Sequence, residues 1–213
     1  MLPKYSAVER RSAPTRDEFQ RFTYIAIFFH WIVAGLILTN ILIAWQFPLL
    51  HGSLRAAVFQ IHKSIGITVL LLSVLRLAWR MLNPPPPFAN TMRAWETGAS
   101  KLVERSFYFI MLTLPLTGWA LSSASDIHVP IVLFGVVRWP DIPLIGTLPF
   151  DQKLGVYSLS VAAHHLLAKI TYVLVAVHVL AALRHQYIKR DLVLARMIPS
   201  LARRRPIHDL RNY

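Results

Sequence analysis

No Asp, Glu, Lys or Arg occurs between Arg21 and Arg55. Crossing a bilayer as a helix takes about 20 mostly apolar residues at about 1.5 Å rise each, and the run from about Phe22 to Trp45 meets that length. It is too long for a cleaved signal peptide, and no small-residue cleavage site follows it. Three more runs qualify. The second, about Ala57 to Trp79, carries Lys63 near one end and Arg76 near the other, where long side chains reach an interface. The third, about Ser106 to Ser123, is uncharged and contains Pro115, which is expected to kink it. The fourth, about Tyr157 to Leu183, contains the single charge Lys169. One such run can be a core helix of a soluble protein. Four in 213 residues predict an all-α fold, a transmembrane four-helix bundle.

Composition agrees: 15% of residues are charged and 55% apolar, against about 25% charged in an average soluble domain. The net charge of +13 raises the question of nucleic acid, but that partner needs basic residues gathered on an exposed face. Here they sit between apolar runs, so no nucleic-acid partner is expected. Seventeen of the 23 basic residues fall on one side of the four spans. The N-terminal segment supplies Lys4, Arg10, Arg11, Arg16 and Arg21. The second connection supplies Arg80, Arg93, Lys101 and Arg105, and the tail from Arg184 supplies the remainder. The opposite side has Arg55, Lys63, Arg138 and Lys153. By the positive-inside rule both termini are cytoplasmic, and the excess charge also attracts anionic membrane lipid. The expected division is a basic cytoplasmic segment at 1–21, a membrane domain at 22–184 and a basic cytoplasmic tail at 185–213.

The connections differ in kind. Asn83 to Pro87 reads Asn-Pro-Pro-Pro-Pro, a stiff extended exit from the second span. The third connection, about Ala124 to Gly155, holds Pro130, Pro140, Pro143 and Pro149 among apolar residues and is too broken to span. It reads either as a cap on the outer face, covering a cofactor, or as a plain interfacial loop.

The chain has no Cys and nine His. Disulfides, thiolate metal sites, iron–sulfur ligation and covalent haem attachment through thioethers are thereby excluded. Ionisable residues inside a span are costly and point to function. His30 lies about 12 Å from the cytoplasmic end of the first span, and His178 about 9 Å from that side on the fourth. His62 and His164 both lie near the outer ends of their spans. From His164 to His178 is 14 residues, which leaves the two only about 40° apart on the helix and about 21 Å apart along it. His165 is rotated about 100° from His164 and faces elsewhere.

One helix face thus offers two imidazoles at two depths, each with a partner at matching depth on another helix. Zinc prefers four ligands in one place, and di-iron sites need inward Glu, which these runs lack. Two stacked haems with bis-histidine axial ligation fit, with iron held by His30, His62, His164 and His178. Gly66 and Ala34, one turn beyond His62 and His30, suit a flat ring. His51, His128, His185 and His208 read as solvated or interfacial. Arg76 and Arg80 are either haem-propionate partners or ordinary anchors. Lys169 lies too deep for easy snorkelling and pairs with a propionate or lines a polar pocket. Pro115 with Gly118 reads as packing.

Phe-His-Trp at 29–31, Ile-His-Lys-Ser-Ile-Gly at 61–66, Leu-Pro-Leu-Thr-Gly at 114–118, Leu-Phe-Gly at 133–135 and Arg-Asp-Leu-Val-Leu-Ala-Arg-Met-Ile-Pro at 190–199 resemble bacterial cytochrome b561. The similarity covers roughly residues 20 to 200. It implies a multi-pass di-haem b cytochrome of the bacterial inner membrane, with ligands at His30, His62, His164 and His178 and two haem b groups. It further implies oxidation of superoxide at the periplasmic face, with ubiquinone as acceptor, and Lys63, Arg138 and Lys153 are placed to steer an anion. Similar di-haem cytochromes instead anchor periplasmic hydrogenases or dehydrogenases and relay their electrons, which is the alternative reading. One departure stands out: the family commonly has His-Glu where this chain has His164-His165.

Overall fold

The computed structural model describes residues 21–87, 92–127, 129–189 and 193–203. Lys4, Arg10, Arg11, Arg16, His128 and His208 lie outside them. Four of its helices are long and apolar enough to cross a membrane: α1 (Tyr24–Gln46), α2 (Gly52–Leu82), α3 (Ala94–Ala124) and a later helix, α5 (Phe150–Leu183). Together they give the expected all-α transmembrane bundle.

Each boundary has a local cause. Thr23 starts α1, its Oγ1 accepting the Ala26 N–H at 3.2 Å, which satisfies one of the free amides of a first turn. Pro48 lies in the short 3₁₀ turn Phe47–Leu49 that follows α1. Asn83 ends α2 immediately before four prolines, whose rings disfavour helical geometry in the residue ahead. At the start of α3 the Arg93 N–H donates to Glu96 Oε2 at 2.9 Å.

Three of the helices outrun their apolar stretches. α3 begins twelve residues before Ser106 and α5 seven before Tyr157, because their polar first turns contain no helix breaker. The extension brings Glu96 and Glu104 into α3, where the apolar run alone held no acid. α3 also continues through Pro115 as one element.

α2 packs against both α1 and α3, and α3 packs against α5. The core cluster is Val33, Ile65, Val69 and Met111, surrounded by Leu36, Ile37, Ile43, Leu72, Phe107 and Tyr108. Val33 is the one buried residue of α1, and Ser160 and Thr171 are the two of α5. Outward faces are apolar as well: Phe28 is 61% exposed and Val173 65%. Such surface would be an aggregation hazard in water and is the expected covering in hydrocarbon.

The third connection folds as a cap on one end of the bundle. Strands β1 (Ile131–Leu133) and β2 (Val137–Trp139) form an antiparallel hairpin with Ile131 opposite Trp139 and Leu133 opposite Val137. Phe134 and Gly135 take φ of 50° and 76°, the left-handed values that tight hairpin turns require. Hydrogen bonds from three residues of α2 tie the hairpin and its approach to that helix. Ser64 Oγ accepts the Phe134 N–H at 3.0 Å, Gln60 Nε2 donates to the Pro130 carbonyl at 2.7 Å and Lys63 Nζ to that of Val129 at 3.1 Å. The short α4 (Pro143–Gly146) follows, its approach fixed by the Ile142 N–H donating to Ser123 Oγ at 3.0 Å.

The opposite, basal end is closed by charge. Buried Glu96 receives Arg184 at 2.9 Å and Lys189 at 2.5 Å, both from the π-helical turn Arg184–Lys189 that continues α5. The chain then folds back through a 3₁₀ turn, Leu194–Arg196, and α6 (Pro199–Arg203). There Arg196 Nη2 donates to the Pro87 carbonyl at 2.6 Å, and the Met197 carbonyl accepts the Trp31 indole N–H at 3.0 Å. His185, expected at a solvated interface, is instead buried, because the chain folds over the end of the bundle rather than leaving it.

Candidate functional site

The bundle brings four histidines together in two pairs. His30 of α1 faces His178 of α5 with ring centres 6.1 Å apart, and His62 of α2 faces His164 of α5 at 6.3 Å. The basal pair is walled by Trp31, 5.2 Å from His30, and by Phe107, 5.3 Å from His178. The cap-side pair is walled by Phe47 and Phe59, 5.3 and 6.3 Å from His62. The apolar core lies between the two layers, since Val33, Ile65, Val69 and Met111 fall at intermediate positions on their helices. His165 is exposed on α5, as is Lys169.

α2 repeats the 14-residue spacing of α5. One such step from His62 reaches Arg76, on nearly the same face, and Arg76 Nη2 lies 3.4 Å from His30 Nδ1. Its guanidinium also stands 5.6 Å over the Tyr108 ring. Of the two readings left open for Arg76, the structure places it against the basal pair rather than at an interface. Arg80, by contrast, is held by Glu104 at 2.5 Å.

These pairs have the spacing a shared metal requires. An imidazole nitrogen lies about 2 Å from a metal it binds and about 1 Å from its own ring centre, so two imidazoles on opposite sides of one ion have centres about 6 Å apart. Among the described residues no three His, Cys, Asp or Glu cluster as a metal site, so each layer offers two ligands, as a planar macrocycle needs. His62 Nδ1 and Asn40 Oδ1 are buried without a hydrogen-bond partner, and buried polar atoms normally have one. A Cβ added at Gly66, one turn from His62, would meet nothing within 4 Å. The cap-side residues therefore fit a flat ring, and the basal pair has nearly the same ring spacing.

Ring-nitrogen roles follow from the partners. His164 Nδ1 lies 3.2 Å from the Leu114 carbonyl and 3.1 Å from Thr117 Oγ1, and Thr117 Oγ1 itself donates to the same carbonyl at 2.7 Å. A carbonyl only accepts, so the proton is on Nδ1 and the Nε2 lone pair is free. In the basal layer Arg76 only donates, so His30 Nδ1 accepts and the proton is on Nε2. Binding a metal through Nε2 requires the other tautomer, which separates Arg76 from His30 Nδ1. Sequence reasoning passed over Asn40, the Leu114 carbonyl and Thr117. Only the depth match between Thr117 on α3 and His164 on α5 would have flagged the last.

The family model for prokaryotic cytochrome b561 matches residues 21–200. Cytochrome b561 homolog 2 of Escherichia coli K12 is 29% identical over 182 residues, covering 84% of this chain and 92% of the relative. Its homolog 1 from the same strain is 30% identical over 192 residues, covering 84% and 97%. A protein named probable superoxide oxidase CybB, from Yersinia pestis, is 28% identical over 186 residues, again covering 84% and 97%. With four membrane-length helices enclosing paired histidines and a family match across nearly all of the described chain, this protein belongs to the prokaryotic cytochrome b561 family, whose members are membrane haem cytochromes of electron transfer.

Proposed function

We propose that His62 with His164, and His30 with His178, are the axial ligands of two b haems, and that the protein carries electrons through the bacterial inner membrane from a periplasmic donor to ubiquinone. The observation that carries this reading is the shared helix face. α5 supplies one ligand to each layer, about 21 Å apart by helix rise, and each has its partner ring at 6.1 or 6.3 Å. In a hydrocarbon core about 30 Å thick, layers that far apart lie near opposite faces. A bound haem supplies one-electron redox chemistry.

The histidines would hold the rings, with Phe47, Phe59, Phe107 and Trp31 packed against them as apolar walls. A haem held by two histidines would have no open site for oxygen, which favours electron transfer. The donor proposed is superoxide, following the printed name of the Yersinia relative. Each superoxide gives up one electron and leaves as dioxygen, and two electrons with two protons convert ubiquinone to ubiquinol. Arg138 is exposed on the cap hairpin, and Lys63 and Lys153 are half-buried at the same end; Asp141 offsets part of the Lys63 charge, and the positive charge that is left attracts an anion.

Purified protein in detergent tests this reading. The expected result is two non-covalent haems per chain, low-spin at rest, reduced by superoxide and reoxidised by added ubiquinone. One haem per chain, or a high-spin resting spectrum, would overturn the paired-ligand assignment. No reduction by superoxide, together with stable co-purification of a periplasmic dehydrogenase, would instead make the protein a relay subunit.

A further inference from the structure

We propose that Thr117, acting with the Leu114 carbonyl and Gly118, is a positioning device for His164 that fixes its ring plane and lowers the reduction potential of the cap-side centre. The inference rests on the reading that His164 binds iron. Three features of one α3 turn converge on this imidazole. The Leu114 carbonyl and Thr117 Oγ1 both accept from its Nδ1–H, at 3.2 and 3.1 Å. Thr117 Oγ1 spends its own proton on that carbonyl, at 2.7 Å, so its lone pairs are left to face the imidazole. Gly118 supplies the room: a Cβ there would stand 3.2 Å from His164 Cε1 and 3.4 Å from Nδ1, tighter than the ring tolerates without moving.

The consequence is chemical as well as steric. Acceptors on the far nitrogen make a ligating imidazole more basic, and a more basic ligand stabilises the oxidised, more positive metal. Two of the other histidines differ: His62 Nδ1 is buried without a hydrogen-bond partner, and His30 Nδ1 faces a donor, Arg76. The motif Leu-Pro-Leu-Thr-Gly, which reads as helix packing in sequence, therefore acts on the cap-side centre alone.

The experiment is an optical redox titration with low-temperature electron paramagnetic resonance on purified variants. His164→Ala identifies the cap-side centre as the potential that disappears. If both haems and both potentials survive in that variant, the ligand assignment fails and this inference with it. Thr117→Val is expected to keep both haems and raise only the cap-side potential, favouring reduction of that centre about fivefold, the worth of one ordinary hydrogen bond. Thr117→Ser restores the original value. Gly118→Ala is expected to shift the low-spin signal of the same centre, because the added methyl tilts the His164 ring. If Thr117→Val weakens haem retention, the serine and alanine variants still decide. Unchanged potentials in the valine variant, or an unchanged cap-side signal in Gly118→Ala, would overturn the proposal while leaving the ligand assignment intact.

Discussion

At the scale of single residues, two neighbours on α5 show how much geometry adds to composition. His164 and His165 are chemically identical, but a rotation of about 100° puts one ring 6.3 Å from His62 and leaves the other exposed. His164→Ala is therefore expected to lose one haem of two, and His165→Ala to keep both, as measured by haem content per chain. Arg76 gives a second prediction. Its charge lies against His30 and favours the reduced state there. Ligation of His30 through Nε2 moves the guanidinium off Nδ1 but leaves it beside the ring, and at an effective dielectric near 20 a unit charge about 10 Å from the iron is worth roughly 1–2 kcal/mol. Arg76→Gln should lower the basal potential and leave the cap-side one nearly unchanged. Arg80→Gln should do far less, since Glu104 already neutralises that residue. The four paired histidines were legible in the sequence because an ionisable residue in an apolar run is conspicuous and the 14-residue step is simple to project. Thr117 and Leu114 were not. A threonine in a helix passes for filler, and a backbone carbonyl leaves no trace in residue identity.

At the scale of elements, the apolar runs located the four long helices but not their ends. Hydrophobicity marks what lies in the membrane, whereas helix termini answer to caps and breakers. Thus α3 extends back to Ala94, where Glu96 joins α3 to the end of α5. The hairpin was not legible either, because three-residue strands are too short to show an alternating pattern. It is held instead by hydrogen bonds to α2, and the one at its turn is made by a buried hydroxyl. Ser64, 1% exposed, accepts the Phe134 N–H at the turn where two residues carry positive φ. Ser64→Ala leaves that amide without its acceptor, at a local cost of about 1–3 kcal/mol. The expected result is faster hydrogen exchange at Phe134 and its neighbours in the hairpin, with exchange in the body of α2 unchanged. Uniform loosening of both would mean that Ser64 supports the helix rather than the cap.

At the scale of the whole molecule, charge predicts how the bundle sits in the membrane. The described basal end carries Arg21, Arg80, Arg93, Lys101, Arg105, Arg184, Lys189 and Arg196. The cap end has Arg55, Lys63, Arg138 and Lys153. Glu96 and Glu104 neutralise part of the basal excess. The orientation rule counts basic residues in short loops, however, and acids contribute little to it. Both termini and the segment between Leu82 and Ala94 should therefore face the cytoplasm, with the hairpin outside. For the periplasmic donor proposed above, this orientation would make the His62–His164 layer, which lies beside the cap, the one nearer the donor. The check is a set of reporter fusions read by activity on each side of the membrane. Fusions after Tyr213 and within the segment joining α2 to α3 should report the cytoplasm, and one inserted between Phe134 and Val136 should report the periplasm. The reverse pattern would put the basal pair on the outside, with Arg76 rather than Thr117 next to the layer that faces a periplasmic donor.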